Sequence, residues 1–316
     1  MINKVNWKMS SQRQFFIEGV ALSTIGCFGL IGNGLGIAYF GRKHRLKKRF
    51  YSLMFTLSII DVLLIISFIW FCSVPEFLHT QKHNHRWSII LFPLINILCT
   101  ISIYLTVAVS FERYLAICKP LFYHENLWHV KVFLIPIFIF SILYNIPTMF
   151  ELHWMVGSGK VNGTNITVNY GAFPTELRLN SKYEEIYKLW GDTIILTIIP
   201  IIILIILNTF IFKEMKRYKN YQSGNVSEEV TRQVQVHMAE INLIIVGIFL
   251  LCHTFRQIPT FHHVFYHKKN SFSSANKCNY KELIYSITEI SQLAVVFNSS
   301  IPFYVYSFKS WLFRNK

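Results

Sequence analysis

Charged residues are scarce in this chain, and acidic residues are the scarcest. Asp, Glu, Lys and Arg together form 15% of the 316 residues, whereas hydrophobic residues form 53%. The length alone would permit two soluble domains. The composition excludes them, because the apolar residues are gathered in long runs.

Several functional motifs are also absent. Residues 1–14 are polar and lack the apolar core of a cleavable signal peptide, so the first helix would serve as its own targeting signal. The chain contains no H-E-x-x-H, no G-x-S-x-G and no phosphate-binding loop. We therefore expect no catalytic site, no enzymatic activity and no organic cofactor.

Apolar residues are concentrated in seven runs that are long enough to cross a membrane. A membrane-spanning helix needs about 20 predominantly apolar residues. Short polar connections separate the runs and leave no room for a separate soluble domain. The sequence therefore predicts an all-α membrane protein, a seven-transmembrane helix bundle formed by one domain, residues 1–316. The predicted spans are 16–40, 51–74, 88–112, 131–151, 189–212, 240–265 and 282–306.

The basic residues predict how the chain is oriented. Six of the eight residues 42–49 are Lys or Arg, and basic loops collect on the cytoplasmic side of membranes. Residues 1–15 would then be extracellular and residues 307–316 cytoplasmic. The net charge of +15 is thus explained by topology and by contact with membrane lipid, and we expect no nucleic-acid partner. The sequons at Asn162 and Asn165 would lie in an extracellular loop and be glycosylated.

A charged motif follows the third apolar run. Residues 112–120 read ERYLAICKP, and charge at the end of a membrane helix is costly and usually functional. This segment resembles the E/DRYxAIxxP signature of rhodopsin-like (class A) G-protein-coupled receptors. Further resemblances extend from Gly32 to Tyr306. They imply a rhodopsin-like receptor of the plasma membrane that signals through heterotrimeric G proteins.

Two other segments resemble a narrower group. Residues 102–106 read SIYLT ahead of the ERY motif, and residues 143–151 read LYNIPTMFE. Both are similar to segments of invertebrate FMRFamide-type neuropeptide receptors. The resemblance implies an extracellular peptide ligand, FMRFamide-like or otherwise amidated.

The resemblance also implies three sets of functional residues. A sodium ion would be held by oxygen atoms, which hard cations prefer, from Asp61, Ser102, Asn298 and Ser299. The G-protein switch would comprise Glu112, Arg113, Tyr114 and Tyr306. An Arg-Phe-amide end needs an acid for its guanidinium and an aromatic pocket for its ring. The candidate ligand contacts, polar residues in the outer halves of the helices, are Glu76, Asn96, Glu151, Asp192, Arg256, Gln257, Glu289 and Gln292.

The chain departs from the family pattern in its last two spans. His253 and Phe255 stand where the family has Trp and Pro, and Pro259 follows one turn later. In the seventh span Pro302 and Phe303 replace the usual Asn and Pro. Residues 308–314 are expected to form a short amphipathic helix on the membrane surface.

The usual outer disulfide is also missing. Ser88 occupies roughly the place of the cysteine that the family pairs with the second outer loop, and residues 155–188 contain no cysteine. The loop must be held by another contact or be mobile. A disulfide between Cys72 and Cys278 is geometrically conceivable, and the sequence does not decide it.

Two other functions remain open at this point. One is a chemosensory receptor for a small molecule on the same fold, which the altered sixth helix and the missing disulfide would allow. The other is an ion-coupled transporter with Asp61 as its ion site. The odd number of spans and the lack of inverted repeats argue against a transporter.

Overall fold

The computed structural model of the chain consists mainly of helices. It describes residues 12–42, 49–78, 80, 86–125, 129–159, 167–219, 226–269 and 276–314. The main helices are α1 Gln12–Phe40, α2 Arg49–Phe77, α3 Trp87–Cys118, α4 Lys131–Phe150, α5 Ser181–Arg217, α6 Val226–Lys269, α7 Asn276–Ser300 and α8 Pro302–Arg314. The predicted sequons at Asn162 and Asn165, and most of the basic first loop, lie outside the described residues.

The helices coincide with the predicted spans. Among the described residues, α1 to α5 and the segment Ala239–Ile258 of α6 are long and apolar enough to cross a membrane. Helix α7 has 25 residues, but polar residues such as Glu289 and Gln292 lower its hydropathy. Seven helices thus stand where the sequence places seven spans.

Helix α3 lies at the centre of the bundle. It packs against α2, α4, α5 and α6, while α7 packs against α1, α2 and α6 and so closes the ring. The first turns of α3 lie beside a β-hairpin. The guanidinium of Arg86, the residue before α3, lies 5.5 Å from the centre of the Trp154 ring in that hairpin. We call this the hairpin end of the bundle. The opposite end of α3 carries Arg113, and we call it the Arg113 end.

The hairpin was not predicted from the sequence. Its strands, β1 Leu152–Gly159 and β2 Thr167–Pro174, pair in antiparallel fashion, with Leu152 opposite Pro174 and Gly159 opposite Thr167. The segment that lacks the family's disulfide is therefore built from paired backbone. Hydropathy does not indicate this hairpin, because it identifies membrane-spanning segments and the hairpin lies outside the predicted spans.

Polar side chains join the helices inside the apolar bundle. The Asn33 amide donates to the Ser299 carbonyl oxygen over 2.8 Å and thereby joins α1 to α7. The Asn242 amide of α6 donates to Asn208 Oδ1 of α5 over 2.9 Å, and the Ser110 hydroxyl of α3 donates to Asn242 Oδ1 over 3.3 Å. Lipid supplies no hydrophobic force between helices, so such bonds contribute to their association.

The seventh span is interrupted, contrary to the prediction that it runs from 282 to 306. Helix α7 ends at Ser300, and Pro302 is the first residue of α8. Proline has no backbone N–H to donate and is favoured in the first turn of a helix. The predicted surface helix 308–314 is therefore the continuation of α8 rather than a separate element.

Candidate functional site

Two adjacent residues of α3 form an ion pair at the Arg113 end. The Nε and Nη2 atoms of Arg113 both donate to Glu112 Oε2, over 2.8 and 2.5 Å. The Glu112 side chain is 0% exposed and that of Arg113 is 6% exposed. Consecutive residues point to different sides of a helix, so the pair requires the arginine side chain to turn back towards Glu112. The guanidinium also lies 3.9 Å from the centre of the Phe50 ring.

Tyr123, in the short helix Pro120–Glu125, completes this pair. Its hydroxyl donates to Glu112 Oε1 over 2.8 Å, so both carboxylate oxygens are engaged. Burial, and then the Glu112 carboxylate, raise the pKa of Tyr123, and its hydroxyl therefore remains a donor at neutral pH. The Arg49 guanidinium covers the Tyr123 ring at 4.3 Å. Sequence reasoning missed Tyr123, because no motif marked it.

The other two predicted switch residues pack against aromatic neighbours. Tyr114 lies beside Phe111 and Phe210, with ring centres 6.4 and 6.0 Å away. Tyr306 is buried in α8, and its hydroxyl lies 3.3 Å from that of Tyr39 in α1. Of the four predicted switch residues, Glu112 and Arg113 form the ion pair.

The predicted sodium site is partly assembled in the middle of the bundle. Asp61 is 1% exposed, and its Oδ1 accepts a hydrogen bond of 2.9 Å from the Ser102 hydroxyl. The Ser299 hydroxyl is close enough to act on the same carboxyl, but it is buried without a hydrogen-bond partner among the described residues. Asn298 beside it is half-buried. An unpartnered oxygen next to a carboxylate and a hydroxyl fits a hard cation.

Glu151, a predicted ligand contact, is occupied by partners from the protein itself. Its carboxylate is fully buried and accepts from Arg178 Nη1 over 2.9 Å and from Lys188 Nζ over 2.7 Å. The Tyr183 hydroxyl donates to it over 2.7 Å, and the Thr175 N–H donates to the Glu151 carbonyl oxygen over 2.9 Å. These contacts join the end of α4 to the segment after the hairpin and to α5. Of the two alternatives that the sequence left for this segment, another contact or mobility, these bonds provide the contact.

Asp192 is held by a tyrosine from α4. Its Oδ1 accepts a hydrogen bond of 2.8 Å from the Tyr144 hydroxyl. The Tyr144 ring stacks on Tyr187 at 5.4 Å, and Tyr187 stacks on Tyr183 at 5.1 Å. The acid therefore stands at the end of an aromatic stack that leads towards the hairpin end.

Arg256 differs from Glu151 and Asp192, whose carboxylates accept hydrogen bonds from the protein. Its Nη1 atom is buried and has no hydrogen-bond partner among the described residues. It acts electrostatically on Asp192 of α5, Cys99 of α3 and His253 of its own helix. The described residues include no ion pair between Arg256 and Asp192, whose Oδ1 accepts from Tyr144 instead.

The uncharged predicted contacts bond within the protein. Gln257 Nε2 donates to the Thr197 hydroxyl over 2.6 Å, and Asn96 Nδ2 donates to the carbonyl oxygen of Phe92 over 2.8 Å. The Gln257 side chain therefore joins α6 to α5, and the Asn96 side chain bonds within α3.

The remaining contacts lie between α1, α2 and α7. Gln292 Oε1 accepts from the Cys72 thiol over 3.3 Å. Glu289 Oε2 lies 3.9 Å from Arg13 Nε. Glu76 is half-buried beside Gly19.

Cys72, which the sequence suggested as a possible disulfide partner of Cys278, is buried, and its thiol donates to Gln292 of α7. The side chain of Cys278 lies outside the described part of the chain.

Comparison with known protein families shows which family the chain resembles over most of its length. The sequence profile of the 7 transmembrane receptor (rhodopsin family) matches residues 32–304. The chain belongs to this rhodopsin family of receptors. The family consists of receptors rather than enzymes, which confirms that prediction, and the seven-helix fold predicted from the sequence is confirmed with it.

The relatives of this rhodopsin-family chain include receptors from an insect, a nematode and a mammal. It is 27% identical over 303 residues to the FMRFamide receptor of Drosophila melanogaster, covering 93% of the chain and 51% of that protein. It is 24% identical over 326 residues to the probable G-protein coupled receptor frpr-1 of Caenorhabditis elegans, covering 95% and 77%. It is 24% identical over 235 residues to the histamine H2 receptor of Rattus norvegicus, covering 74% and 62%. The chain thus spans about half the length of the Drosophila relative.

Glu18 is a further buried acid in this rhodopsin-family bundle that sequence reasoning did not select. It is 2% exposed in α1, and its Oε2 accepts from Gln14 Nε2 over 3.3 Å. The Ser73 hydroxyl of α2 donates to its carbonyl oxygen over 2.6 Å. The signal was present, because an acid within an apolar run usually faces the bundle interior.

Proposed function

We propose that the chain is a cell-surface receptor for an amidated, FMRFamide-like neuropeptide and signals through heterotrimeric G proteins. Membership of the rhodopsin family supports the receptor, and similarity to the Drosophila FMRFamide receptor supports the ligand class. One observation carries the signalling step: the buried pair of Glu112 and Arg113 at the end opposite the hairpin. A buried charge pair in a region poor in water is strong when closed and costly when broken.

The Arg113 end would face the cytoplasm and the hairpin end the outside of the cell. The basic residues near the start of α2 and the end of α5 support this orientation, since such residues stay inside. Asn162 and Asn165 would then be extracellular and glycosylated, in a protein of the plasma membrane. Digestion with an N-glycosidase tests this: the receptor should lose mass on a gel, and the Asn162→Gln/Asn165→Gln double variant should not.

Activation would open the Arg113 end when a peptide binds at the hairpin end. The peptide would favour the conformer in which α6 moves outward and Arg113 leaves Glu112. A helix of the G protein would then enter the groove between the helices. Peptide and G protein need only favour the same conformer for each to raise the affinity of the other.

A sodium ion would stabilise the resting conformer from the middle of the bundle. Asp61, Ser102, Asn298 and Ser299 would hold it through oxygen atoms. The unpartnered hydroxyl of Ser299 beside the Asp61 carboxyl supports this assignment. The ion would neutralise a carboxylate that is otherwise costly to bury in a membrane.

A receptor for a small molecule is the second candidate. The similarity to the histamine H2 receptor of Rattus norvegicus favours it. So does the internal pairing of Glu151, which removes one acid from those that could bind a peptide's guanidinium.

A functional screen tests both candidates. The chain would be expressed with a promiscuous G protein and exposed to amidated peptides, to the same peptides as free acids, and to biogenic amines, with calcium release as the signal. We expect a response to amidated peptides in cells that carry the chain and none in cells without it. A response to amines alone would overturn the peptide assignment in favour of the second candidate.

A further inference from the structure

One nitrogen of the Arg256 guanidinium, Nη1, is buried without a hydrogen-bond partner among the described residues. An ionised side chain inside a membrane protein is costly and normally pairs with another charge or with a carbonyl oxygen. Glu151 has Arg178 and Lys188 as partners. The Nη1 atom of Arg256 is buried, and no described residue accepts a hydrogen bond from it.

The position of Arg256 directs this donor into the interior of the bundle. Its charge reaches Cys99 of α3, Asp192 of α5 and His253 one turn earlier in α6. The nearest acid on α5 is already engaged, because Asp192 accepts from the Tyr144 hydroxyl over 2.8 Å. Among the described residues between α3, α5 and α6, a hydrogen-bond donor of Arg256 therefore lacks an acceptor, whereas Asp192 already has a donor.

We propose that Arg256 donates to an oxygen acceptor at the buried end of the ligand, and that this acceptor is the carbonyl oxygen of a C-terminal carboxamide. The second half rests on the proposed peptide function. A carbonyl oxygen has two lone pairs and no charge, so it satisfies a guanidinium donor without a large desolvation cost. A ligand guanidinium would instead be repelled by the like charge of Arg256. The amide end, not the arginine side chain of the peptide, is the group that reaches Arg256.

The thermal stability of the purified receptor provides a test that needs no ligand. An unsatisfied buried donor costs free energy, and its replacement by an apolar side chain of similar length is neutral or stabilising. Arg256→Met is therefore expected to leave the unfolding temperature of the purified, ligand-free receptor equal or higher. The matched control is Arg178→Met, which breaks a pair with a buried carboxylate and should lower it. A lowered temperature for Arg256→Met would overturn the proposal, because it would reveal a structural partner.

A cycle of receptor and ligand changes tests the acceptor itself. One peptide ends in Phe-amide, and the other ends in phenethylamide, which lacks only the terminal carboxamide. In the unaltered receptor the truncated peptide should bind roughly tenfold or more weakly, as expected for a hydrogen bond to a charged group. In Arg256→Met the two peptides should bind with equal affinity. An equal loss for both peptides on mutation would overturn the proposal.

Two further binding results show which part of the proposal is wrong. If the free-acid peptide binds the unaltered receptor more tightly than the amide, Arg256 reads a carboxylate and the carboxamide half is overturned. If no peptide binds the unaltered receptor, the peptide function fails. The ligand-free measurement then still decides whether Arg256 lacks a protein partner.

Discussion

The Glu112 carboxylate accepts three hydrogen bonds. The Nε and Nη2 atoms of Arg113 both donate to its Oε2, and the Tyr123 hydroxyl donates to its Oε1. Hydrogen bonds to ionised groups contribute more than neutral ones, and the 0% exposure of the Glu112 side chain keeps water from competing. Each oxygen of the Glu112 carboxylate therefore already accepts a hydrogen bond.

Neutralising Glu112 should raise ligand-independent signalling. Glu112→Gln keeps the shape of the side chain and removes its charge, so the resting conformer loses part of its hold on Arg113. A loss of about 1–2 kcal/mol would raise the open population roughly 5- to 30-fold. Nucleotide exchange without agonist measures this. Glu214→Gln is the control, because Glu214 pairs with Arg217 only at 3.8 Å near the same end, and unchanged exchange in both variants would contradict the expectation.

Removing the charge of Asp61 should abolish the effect of sodium on agonist affinity. Asp61→Asn keeps an oxygen but loses the charge that attracts a cation. Agonist affinity would be measured in sodium chloride and in an organic-cation chloride of the same ionic strength. We expect sodium to lower affinity severalfold in the unaltered receptor and not in Asp61→Asn. An identical sodium effect in both receptors would remove the proposed site.

Some residues could be placed from the sequence and others could not. Asp61 and Ser102 were predicted to converge, and their hydrogen bond is present, because a family pattern fixed both positions. Glu151 was predicted as a ligand contact, yet it is paired inside the protein. Its cations Arg178 and Lys188 come from distant parts of the chain, and nothing in a linear pattern indicates which basic residue folds back to which acid.

At the scale of elements, the segment after α4 is held by charge where the family uses a disulfide. Glu151→Gln should therefore destabilise the receptor. Breaking a buried pair costs about 3–5 kcal/mol, and we expect about 2–3 kcal/mol here because Arg178 and Lys188 are 42% and 22% exposed and can regain water. The temperature of thermal unfolding, measured in detergent, should fall by about 4 °C or more.

Glu176→Gln is the control for this change. Glu176 is exposed and lies in the same segment, so its neutralisation should change stability by no more than about 0.5 kcal/mol. If both variants unfold at the same temperature, Glu151 does not anchor the segment.

The contact between α1 and α7 depends on a glycine. A Cβ atom on Gly29 would lie 2.8 Å from Ile65 Cδ1 and closer still to the Ser300 hydroxyl. Gly29→Ala should therefore force the helices apart and cost about 1–3 kcal/mol. Gly34→Ala is the matched control on the same helix, because nothing lies within 4 Å of its Cβ position. It should be neutral or stabilising by up to about 1 kcal/mol, and the same unfolding temperature for both variants would contradict this packing.

The elements were predictable to different degrees. The spans followed from hydropathy, since only helices and closed barrels satisfy the backbone within lipid. The break at Pro302 was visible as a departure from the family pattern, but its result, two helices instead of one, was not. The hairpin between α4 and α5 lay outside the membrane, where hydropathy gives no guidance.

At the scale of the whole molecule, the two ends of the bundle are connected through α3 and α6. Helix α3 runs from the hairpin end to Arg113. The apolar segment Ala239–Ile258 of α6 carries Arg256 near one end and Asn242 near the other, where Asn242 joins α6 to α3 and α5. A ligand that moves α6 at Arg256 would strain these central bonds and so bias the Arg113 end. Such coupling is reciprocal, so an engaged G protein should raise agonist affinity.

Agonist-driven nucleotide exchange by the receptor in liposomes tests this switch most directly. The unaltered receptor and Arg113→Ala would be compared, with agonist binding measured on each in the absence of G protein. Arg113→Ala should bind agonist with an affinity within about threefold of the unaltered receptor, since the substitution lies at the far end of the bundle, and should fail to stimulate exchange. Full stimulation by Arg113→Ala would contradict the role of the Glu112–Arg113 pair as the switch.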